Sequence, residues 1–526
     1  MLIRHPNENQ VGALMKTAKK ITVLIVCLLM ILSLFGCADK EIIPTAKKID
    51  PGIDEVGYSV PFLRSDTLDP YMAESELNQS LTTLLYDSLF SVDNSFKAVP
   101  QIADSYTFED KKIEVRLKTV SFTDGTDVTP EDVVFSFVKA KKSSVYKPYL
   151  TNLTDCSAAD GRSVVFTLEY KNPYELANIF FPIIKKGTEV DEESSDKYSA
   201  KLPVGSGRYT LVNNSESRYL EVNKLRLGGY HPKYNRIGLV DVSEETAVPN
   251  LFEMGQIDFY TETFSDGVFK RYTGTSSPKE MSNFTFLGIN SDRKVMRDGK
   301  VRRAIALLLS RADMADVAFG GFGRATSTPF NPGFYALEGC TLPPIKYDKR
   351  AAIELLEEAG FKEISRAGIR YSENSTLELN LVVNKENSFR VAMARSIQQA
   401  LSKASIKVVL REVSFASYIE YIENGYYDLY IGETGLSNSF DLSGFFNEDG
   451  ALSYGISAES ESAAKYNELE EGTAEMQEFL DVFADELPFI PLAYRQSMTV
   501  RSDKIGVNSK TTVSDCYYNV DEWTVK

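Results

Sequence analysis

The stretch LELNLVVNKENSFRVAMARSIQQALSKASIKVVL, residues 377–410, decides the class of fold. In residues 377–383 an apolar side chain recurs at every second position, which is the spacing of one face of a strand. Residues 389–403 carry the apolar stripe of an amphipathic helix, and residues 406–410 alternate again. A strand, a helix and a second strand in this order predict a right-handed crossover between parallel strands. The stretch therefore predicts an α/β domain.

The neighbouring sequence repeats this alternation of helices and strands. Ser310 and Asp313 are spaced as a helix cap and its partner, and Gly320 ends that helix. Asp348 begins and Gly360 ends another helix. Further helices are predicted over 302–309 and 418–422, and a further strand over 428–432.

The first half of the chain is also predicted to be ordered. The leucines of residues 78–90 fall on one face of a helix, so that face is predicted to be buried. Residues 112–119 and 164–168 have strand patterns. Residues 129–132, Thr-Pro-Glu-Asp, begin a helix with a capping box and with proline at the first helical position.

Length and charge limit the classes of protein. A chain of 526 residues is too long for one hydrophobic core, since chains beyond about 250–300 residues usually divide, so at least two lobes are expected. The formal net charge is −16. An acidic surface argues against nucleic acid as a partner and against a polybasic membrane patch.

The scarcity of reactive side chains argues against cofactor chemistry. The histidines are His5 and His231, and there is no Cys-x-x-Cys, so neither a metal site nor haem is expected and no cofactor is predicted. The motifs G-x-S-x-G and H-E-x-x-H are absent from the sequence, which argues against an enzyme.

Residues 21–37, ITVLIVCLLMILSLFGC, follow three lysines and resemble a bacterial lipoprotein signal. The sixteen residues before the final cysteine fall short of the roughly 20 that span a bilayer core. Cys37 is the predicted lipid attachment site, and an uncleaved anchor is the alternative. Both readings place the rest of the chain outside the membrane. Met1 and Met15 are both candidate start residues.

Seven further stretches, taken in order, resemble the oligopeptide, dipeptide and nickel solute-binding proteins of ABC importers, which form solute-binding protein family 5. They are LDP (68–70), LLYDSLFSVD (84–93), SFTDGTDVTPEDVVFSF (121–137), PVGSGRYTL (203–211), FLGINSDRKVMRDGKVRRAIALLLSR (286–311), YDKRAAIELLEEAGF (347–361) and LPFIPLAYR (487–495).

This resemblance implies a type II periplasmic-binding-protein fold. In that fold two α/β lobes are joined by a two-strand hinge, an extra domain is inserted in lobe I, and the ligand is enclosed by hinge closure. The implied boundaries are a signal peptide at 1–36, a tether at 37–57, lobe I at 58–84, 201–283 and 485–526, the inserted domain at 85–200, and lobe II at 284–484.

The resemblance also points to a ligand-binding loop. Peptide binders of the family carry a Gly-Trp motif followed by an aspartate that pairs with the peptide's α-ammonium. In the corresponding stretch, GETGLSNSFD, Gly432 is kept, Glu433 takes the position of the tryptophan and Leu436 that of the aspartate. A buried ammonium needs an opposite charge, so Glu433 and Asp441 are the candidate carboxylates. Asp441 has an alternative role as the cap of the following turn.

Four more side chains are placed at the cleft by the resemblance. Tyr494 and Arg495 are expected to point into it near the last crossing strand. The guanidinium of Arg495 suits a peptide carboxylate or backbone carbonyls, and the alternative is a salt bridge between the lobes. Tyr71 and Glu74 lie in the loop that usually forms one wall of the cleft.

These features predict a lipid-anchored protein on the outer face of the bacterial cytoplasmic membrane. It would capture oligopeptides, largely through main-chain hydrogen bonds, and deliver them to the permease subunits of an ABC importer. The alternative on the same fold is a sensor or adhesin that binds a signalling peptide without transport.

Overall fold

The computed structural model of the chain describes residues 56–189, 202–213, 217–226, 232–263, 274–457, 459–506 and 509–524. These residues belong to one compact unit. The predicted signal peptide, with Cys37 after it, and His231 lie outside the described ranges. None of the helices within those ranges combines the length and the apolar character that a bilayer span requires.

The elements follow the predicted alternation. The helices are α1 (Glu76–Leu85), α2 (Pro130–Ala140), α3 (Val248–Glu253), α4 (Gly299–Leu308), α5 (Arg311–Phe319), α6 (Lys349–Glu358), α7 (Ser388–Ser402), α8 (Phe415–Glu423), α9 (Ser443–Phe446), α10 (Glu461–Glu471) and α11 (Met476–Glu486). The strands before residue 250 are β1 (Val56–Leu63), β2 (Phe90–Val92), β3 (Ala98–Pro100), β4 (Ala103–Glu109), β5 (Lys112–Leu117), β6 (Leu153–Asp160), β7 (Ser163–Leu168), β8 (Tyr209–Asn213), β9 (Arg218–Val222) and β10 (Arg236–Val242). The later strands are β11 (Phe259–Glu262), β12 (Thr275–Lys279), β13 (Asn283–Ile289), β14 (Gly323–Ala325), β15 (Glu363–Ile364), β16 (Arg370–Ser372), β17 (Ser375–Thr376), β18 (Glu378–Asn384), β19 (Lys407–Val413), β20 (Leu429–Gly435), β21 (Phe489–Arg495) and β22 (Ser497–Arg501).

A six-stranded sheet in the order β14-β21-β13-β20-β18-β19 forms the centre of the second half of the chain. Strand β18 runs parallel to both β19 and β20, so the predicted crossover through α7 is confirmed. Strand β13 is antiparallel to both β20 and β21. The carboxyl ends of β18, β20 and β21 therefore lie at one edge of this sheet.

The first half of the chain forms separate sheets. One has the order β1-β10-β9-β8, with β1 parallel to β10, and another has the order β4-β5-β7-β6. A three-stranded sheet, β11-β22-β12, is joined to the six-stranded sheet twice, from β12 to β13 and from β21 to β22. These two connections are the expected two-strand hinge.

Two hydrophobic cores of the described residues are built mainly from the first half of the chain. One is built from residues between Leu89 and Ile183. The other combines residues 58–86 with Ile184, residues 209–259 and residues 505–523, and includes the fully buried Trp523. This division follows the predicted inserted domain and the discontinuous lobe I, whose boundaries stay a prediction.

Local chemistry explains where several helices begin and end. Ser75 caps α1 by accepting a hydrogen bond from the backbone N–H of Asn78. The predicted capping box of Thr129 and Asp132 begins α2. Gly320 ends α5 with φ of 58°, a conformation that favours glycine.

Candidate functional site

A cavity of about 290 Å³ opens beside α1 and the two hinge connections, near the lower end of the roughly 300–1,000 Å³ typical of ligand pockets. One wall is formed by Glu76, Gln79, Ser80 and Thr83 of α1. Residues spaced three and four apart lie on one face of a helix, and the leucines of α1 occupy the opposite, buried face. The cavity wall is therefore the polar face of an amphipathic helix.

Another part of the cavity wall is aromatic and contains Tyr146, Tyr149 and Phe180. The ring of Phe180 meets the Tyr146 ring at 5.6 Å and the Tyr149 ring at 4.8 Å, both in edge-to-face geometry. Burial raises the pKa of both tyrosines above the ordinary value, so their hydroxyls are neutral at physiological pH. This wall offers apolar surface together with two neutral phenol groups.

Three charged residues line the cavity: Glu76, Lys279 and Asp515. Asp515 is already engaged, because it accepts from the guanidinium of Arg208 at 2.6 Å and from the hydroxyl of Thr83 at 2.9 Å. Lys279 donates from Nζ to the carbonyl oxygen of Val513 at 2.9 Å. Neither Glu76 nor Lys279 forms an ion pair with another residue of the described ranges. The cavity thus presents one carboxylate and one ammonium that the described part of the fold does not pair.

The predicted amine anchor Glu433 lies elsewhere, near the carboxyl end of β20. Its carboxylate accepts from Nε of Arg495 at 3.1 Å and from Nε of Arg390 at 3.4 Å. The side chains of Glu433, Arg495 and Arg390 are only 7%, 14% and 18% exposed. Two guanidinium groups therefore already balance this carboxylate, and its contact with a ligand stays a prediction.

Arg495 forms its salt bridge within one sheet. Its partner Glu433 is on β20 and Arg495 is on β21, two strands joined through β13 in the six-stranded sheet. Because the lobe boundaries stay a prediction, the alternative of a salt bridge between the lobes stays one as well. Arg495 also lies over the ring of Phe389 at the start of α7, 5.7 Å from the ring centroid.

The second candidate carboxylate, Asp441, lies in a buried polar contact that we call the junction. The junction joins Phe96 and residues 170–178 to residues 438–441 and to Tyr466 and Glu470 on α10. Asp441 accepts from the Tyr170 hydroxyl and, at 3.2 Å, from the Tyr466 hydroxyl. It also accepts from the backbone N–H of Ser443 at 2.7 Å, so its predicted role as a turn cap is confirmed.

Amide side chains form hydrogen bonds between residues of the junction that are far apart in the sequence. The backbone N–H of Asn438 donates to Oδ1 of Asn178 at 3.0 Å, and the Asn438 amide donates to the carbonyl of Ala177 at 3.0 Å. Asn178 in turn donates to Ser439 and to Glu175, each at 3.0 Å. The loop expected to bind a ligand is therefore packed against residues 177 and 178.

Two acidic side chains at the junction have pKa values above the ordinary value for glutamate. Burial, opposed in part by hydrogen bonds from Asn152 and Asn178, raises the pKa of Glu175 to about 7. Burial is also the main reason that the pKa of Glu470 rises to about 8, with the carboxylates of Asp441 and Glu175 adding to the rise. The junction is therefore sensitive to protonation near neutral pH.

The remaining residues of the predicted site lie in different parts of the fold. Tyr494 is fully buried, stacks on Phe284 at 5.1 Å and donates to the carbonyl of Pro329 at 2.6 Å, so the expectation that it faces a cleft is wrong. Tyr494 and Arg495 are successive in a strand and so point to opposite faces. Gly432 packs on Phe286, since an added Cβ would lie 2.3 Å from that ring.

Tyr71 and Glu74 line a different pocket, next to Lys139 and Lys142 of the α2 region. The Tyr71 hydroxyl donates to the carbonyl of Pro182, whereas the Glu74 side chain is exposed. This pocket is not the cavity beside α1, and their predicted place on one wall of the ligand cleft stays a prediction. None of the seven predicted ligand-binding residues is among the described residues that line the cavity.

A family model described as "Bacterial extracellular solute-binding proteins, family 5 Middle" matches residues 97–451, well over half of the chain. The chain belongs to solute-binding protein family 5. Proteins of this family are extracellular or periplasmic substrate-binding components of ABC importers rather than enzymes. The resemblance drawn from seven stretches of sequence is thereby confirmed.

Known proteins agree with this assignment. The family 5 protein is 22% identical over 428 residues to the oligopeptide-binding protein AppA of Bacillus subtilis, an alignment that covers 76% of this chain and 78% of AppA. Among solved structures it resembles the unliganded open form of MppA, a periplasmic murein tripeptide binding protein, with a TM-score of 0.72, 17% identity, and coverage of 92% and 99% of the two chains. It also resembles a nickel ABC transporter protein of Bacillus halodurans, with a TM-score of 0.71, 20% identity, and coverage of 87% and 98%. At these identities the two structures support the fold alone.

The sequence contained one signal that leads to the cavity. Glu76, Gln79, Ser80 and Thr83 are the polar counterpart of the leucine face that predicted α1, so their common face is readable from the pattern. No comparable sequence pattern predicts that Lys279 lines the cavity. It is the last residue of β12, and only the packing of the hinge places it there. Within the described ranges, no group of three or more His, Cys, Asp or Glu side chains is placed to hold a metal ion.

Proposed function

We propose that this family 5 protein is a lipid-anchored receptor that captures oligopeptides and delivers them to the permease of an ABC importer. It would act on the outer face of the cytoplasmic membrane. The observation that carries the proposal is the cavity beside α1, where a polar helix face and an aromatic wall border one space next to the hinge.

The chemistry of the cavity suits a peptide backbone. Gln101 supplies an amide group, Gln79 supplies an amide whose nitrogen also donates to the carbonyls of Ala73 and Glu74, and Ser80, Ser88 and Ser91 supply hydroxyls. These groups both donate and accept hydrogen bonds, as the N–H and C=O groups of a peptide require. The aromatic wall receives side chains of varied shape through apolar contact, so recognition need not depend on one sequence.

The position of the cavity suits capture by closure. Lys279, Met281 and Ser497 belong to the two hinge connections and also line the cavity. A ligand that contacts the hinge segments in a closed state, and not in an open one, shifts the population toward the closed state. The permease would then recognise the closed state of the protein.

The names of two similar proteins support a peptide ligand. AppA of Bacillus subtilis is described as an oligopeptide-binding protein, and MppA as a murein tripeptide binding protein. The lipid anchor rests on the sequence resemblance of residues 21–37 to a lipoprotein signal with Cys37 as its acceptor.

Peptide capture is tested by mass spectrometry of the small molecules released when the purified protein is denatured. Thermal denaturation with added peptides should follow. A true ligand at about 100 times its dissociation constant stabilises the folded protein by about 2.7 kcal/mol. Release of a sugar or of nothing, with no stabilisation by a broad pool of peptides, would contradict the proposal.

The location of the bound peptide is tested with Gln79→Ala. Loss of one neutral hydrogen bond of about 1 kcal/mol should weaken peptide binding about fivefold. Gln398→Ala is the matched control, because Gln398 is on α7 outside the cavity and donates to the carbonyl of Val408. Equal affinities for the two variants would place the peptide elsewhere.

The anchor and the delivery step need cellular measurements. Cys37→Ser should move the protein from the membrane fraction to the soluble fraction. Uptake of a labelled peptide should fall when the protein is deleted and return when it is restored. Binding in vitro without any effect of deletion on uptake would favour a sensor over a transport receptor.

A further inference from the structure

We propose that the junction is a proton-dependent latch, which holds the protein closed about its hinge and opens when its acidic side chains lose their protons. The inference goes beyond peptide capture, because it concerns how closure is held and not what is bound. It rests on where the junction lies in the chain, on its contacts, and on the lack of a basic partner for its acids among the described residues.

The two sides of the junction are joined covalently only through the hinge. Residues 283–495, from β13 to β21, lie between the two hinge connections. The junction residues of the 438–470 region belong to this segment, whereas Phe96 and residues 170–178 precede it. Rotation about the hinge moves one side of the junction relative to the other, so opening has to break these contacts.

One part of the junction is apolar and favours closure. The rings of Phe96 and Phe440, from the two sides, lie 4.7 Å apart. The ring of Tyr174 lies 5.1 Å from that of Phe334, again across the hinge. These aromatic pairs carry no charge, so they favour the closed state at any pH near neutrality.

Another part of the junction is acidic and opposes closure once it is ionised. Asp441, Glu175 and Glu470 lie close together, since the charge of Asp441 adds to the rise in the pKa of both glutamates. Glu175 accepts only from the neutral amides of Asn152 and Asn178, each at 3.0 Å. Oε1 of Glu470 is buried and has no hydrogen-bond partner among the described residues. A buried carboxylate in such surroundings needs a cation or a proton.

No basic side chain of the described residues neutralises these acids, because none of the three forms an ion pair there. The ammonium of Lys171 is close by, with Nζ 3.0 Å from the position that a Cβ on Gly472 would take, yet it forms no ion pair either. The other titratable or charged groups that face the junction are Tyr170, Tyr466, Tyr174, Cys340, Glu475 and Lys97. Protons are therefore what can neutralise Glu175 and Glu470.

The direction of the pH dependence follows from burial. In the closed junction burial raises the pKa of Glu175 to about 7 and that of Glu470 to about 8, whereas the ordinary value is 4.5. An open junction exposes both side chains to water and returns them toward the ordinary value. The closed state thus binds more protons, so closure is favoured at low pH and is lost as the pH rises through about 7 to 8.

A short segment connects the latch to the cavity beside α1. Asn178 donates to Ser439 at 3.0 Å across the junction, and Phe180, two residues further on, belongs to the aromatic wall of the cavity. A molecule that contacts Phe180 therefore touches the segment that carries one side of the latch. Occupancy of the cavity and protonation of the junction act on the same few residues.

The test is hydrogen–deuterium exchange of the purified full-length protein without ligand, from pH 6 to pH 9, resolved to single amides and corrected for the chemical pH dependence of exchange. Two amides report on the contact across the hinge, because the N–H of Asn438 donates to Asn178 and the N–H of Tyr335 donates to the carbonyl of Ser95, both at 3.0 Å. Both corrected rates should rise by about tenfold per pH unit for each proton released on opening. The amides of β18, which bond within the six-stranded sheet, should keep their rates.

The combined variant Glu175→Gln and Glu470→Gln makes both side chains permanently neutral. Its junction should stay closed at pH 9, a gain in closure that damage to the fold would not produce. Glu471→Gln is the matched control, since Glu471 is an exposed acid on the same helix as Glu470, and it should behave like the unmodified protein. If the combined variant does not fold, Glu470→Gln alone should make the rise with pH shallower, because Oε1 of Glu470 has no hydrogen bond to lose.

Each contrary outcome overturns the latch. Corrected rates that stay equal from pH 6 to pH 9 would show that the junction does not respond to protons. A rise at Asn438 without one at Tyr335 would be local loosening, and a rise shared by β18 would be global unfolding. A rise that persists in the combined variant would exclude Glu175 and Glu470 as its source. Peptide capture is decided separately, because no ligand is present in these measurements.

Discussion

The cavity beside α1 and the junction both contain acids, amides and tyrosines, but they differ in whether their charged groups have partners within the described part of the protein. At the junction Asp441 accepts from two tyrosines and a backbone N–H, and Asn178 is satisfied by Ser439 and Glu175. In the cavity Glu76 and Lys279 line open space and form no ion pair with a described residue. The comparison shows that residue type does not decide the role of a polar group. A group that other residues of the protein satisfy is structural, whereas a group without such a partner is available to a ligand.

This contrast predicts that changes at the junction cost stability, whereas changes in the cavity cost affinity. The same contrast applies to Glu433. The family motif made it a candidate ligand contact, but its carboxylate forms salt bridges with two arginines. Four measurements test the comparison, in order of decreasing effect on the free energy of unfolding.

The largest loss is expected for Phe440→Ala. Phe440 is 1% exposed and its ring lies 4.7 Å from that of Phe96 and 4.6 Å from that of Phe334. Truncation of a buried phenylalanine costs about 3–5 kcal/mol. Denaturant unfolding followed by circular dichroism measures the loss. Phe415→Ala is the matched control, since Phe415 is 53% exposed, and equal losses would show that the junction is not a packed core.

Glu433→Gln should cost about 1.5–3 kcal/mol, because it weakens charged hydrogen bonds to two partly buried guanidinium groups and leaves them without their carboxylate. Glu412→Gln breaks the exposed pair with Arg395 and should cost less than about 1 kcal/mol. If Glu433→Gln instead left stability unchanged and selectively weakened peptides with a free amino end, Glu433 would be the amine anchor after all.

The junction should make stability depend on pH. The folded pKa values of Glu175 and Glu470, about 7 and about 8, lie above the ordinary value of 4.5 for a glutamate side chain. Between about pH 4.5 and 8 the folded state therefore binds more protons than the unfolded state, so the free energy of unfolding falls as pH rises. Unfolding measured from pH 4.5 to 8 should show a shallower fall in Glu175→Gln and Glu470→Gln. An unchanged slope in both variants would exclude these acids as its source.

The smallest effect is expected in the cavity. Glu76→Gln removes an exposed charge that no described residue pairs and that lies near Glu245. The free energy of unfolding without ligand should therefore change by less than about 0.5 kcal/mol. A loss comparable to that of Glu433→Gln would mean that Glu76 is structural and would remove the contrast.

Much of the fold was readable from local patterns. The crossover of β18, α7 and β19, the capping box of α2 and the leucine face of α1 were predicted from spacing and confirmed. The family followed from seven short stretches and was also confirmed. These features depend on residues close in sequence, where periodicity and capping chemistry act directly.

The candidate site was readable only in part. Tyr494 and Arg495 are successive in β21 and so face opposite sides, yet only the packing shows that Tyr494 is buried. The polar face of α1 was visible, but not that Tyr149, Phe180 and Lys279 would face it. Nothing local to Glu433 shows that Arg390 and Arg495 engage its carboxylate.

The sequence by itself determined the α/β class, the caps of several helices and the family, because these depend on the order of neighbouring side chains. Tertiary structure alone decided which charges are paired. Asn178 meets Asn438 across 260 positions of the chain, and Glu433 meets Arg495 across 62. The physical reason is that a charge or an amide becomes structural only when folding brings a partner within hydrogen-bonding distance, and spacing along the sequence does not encode that distance.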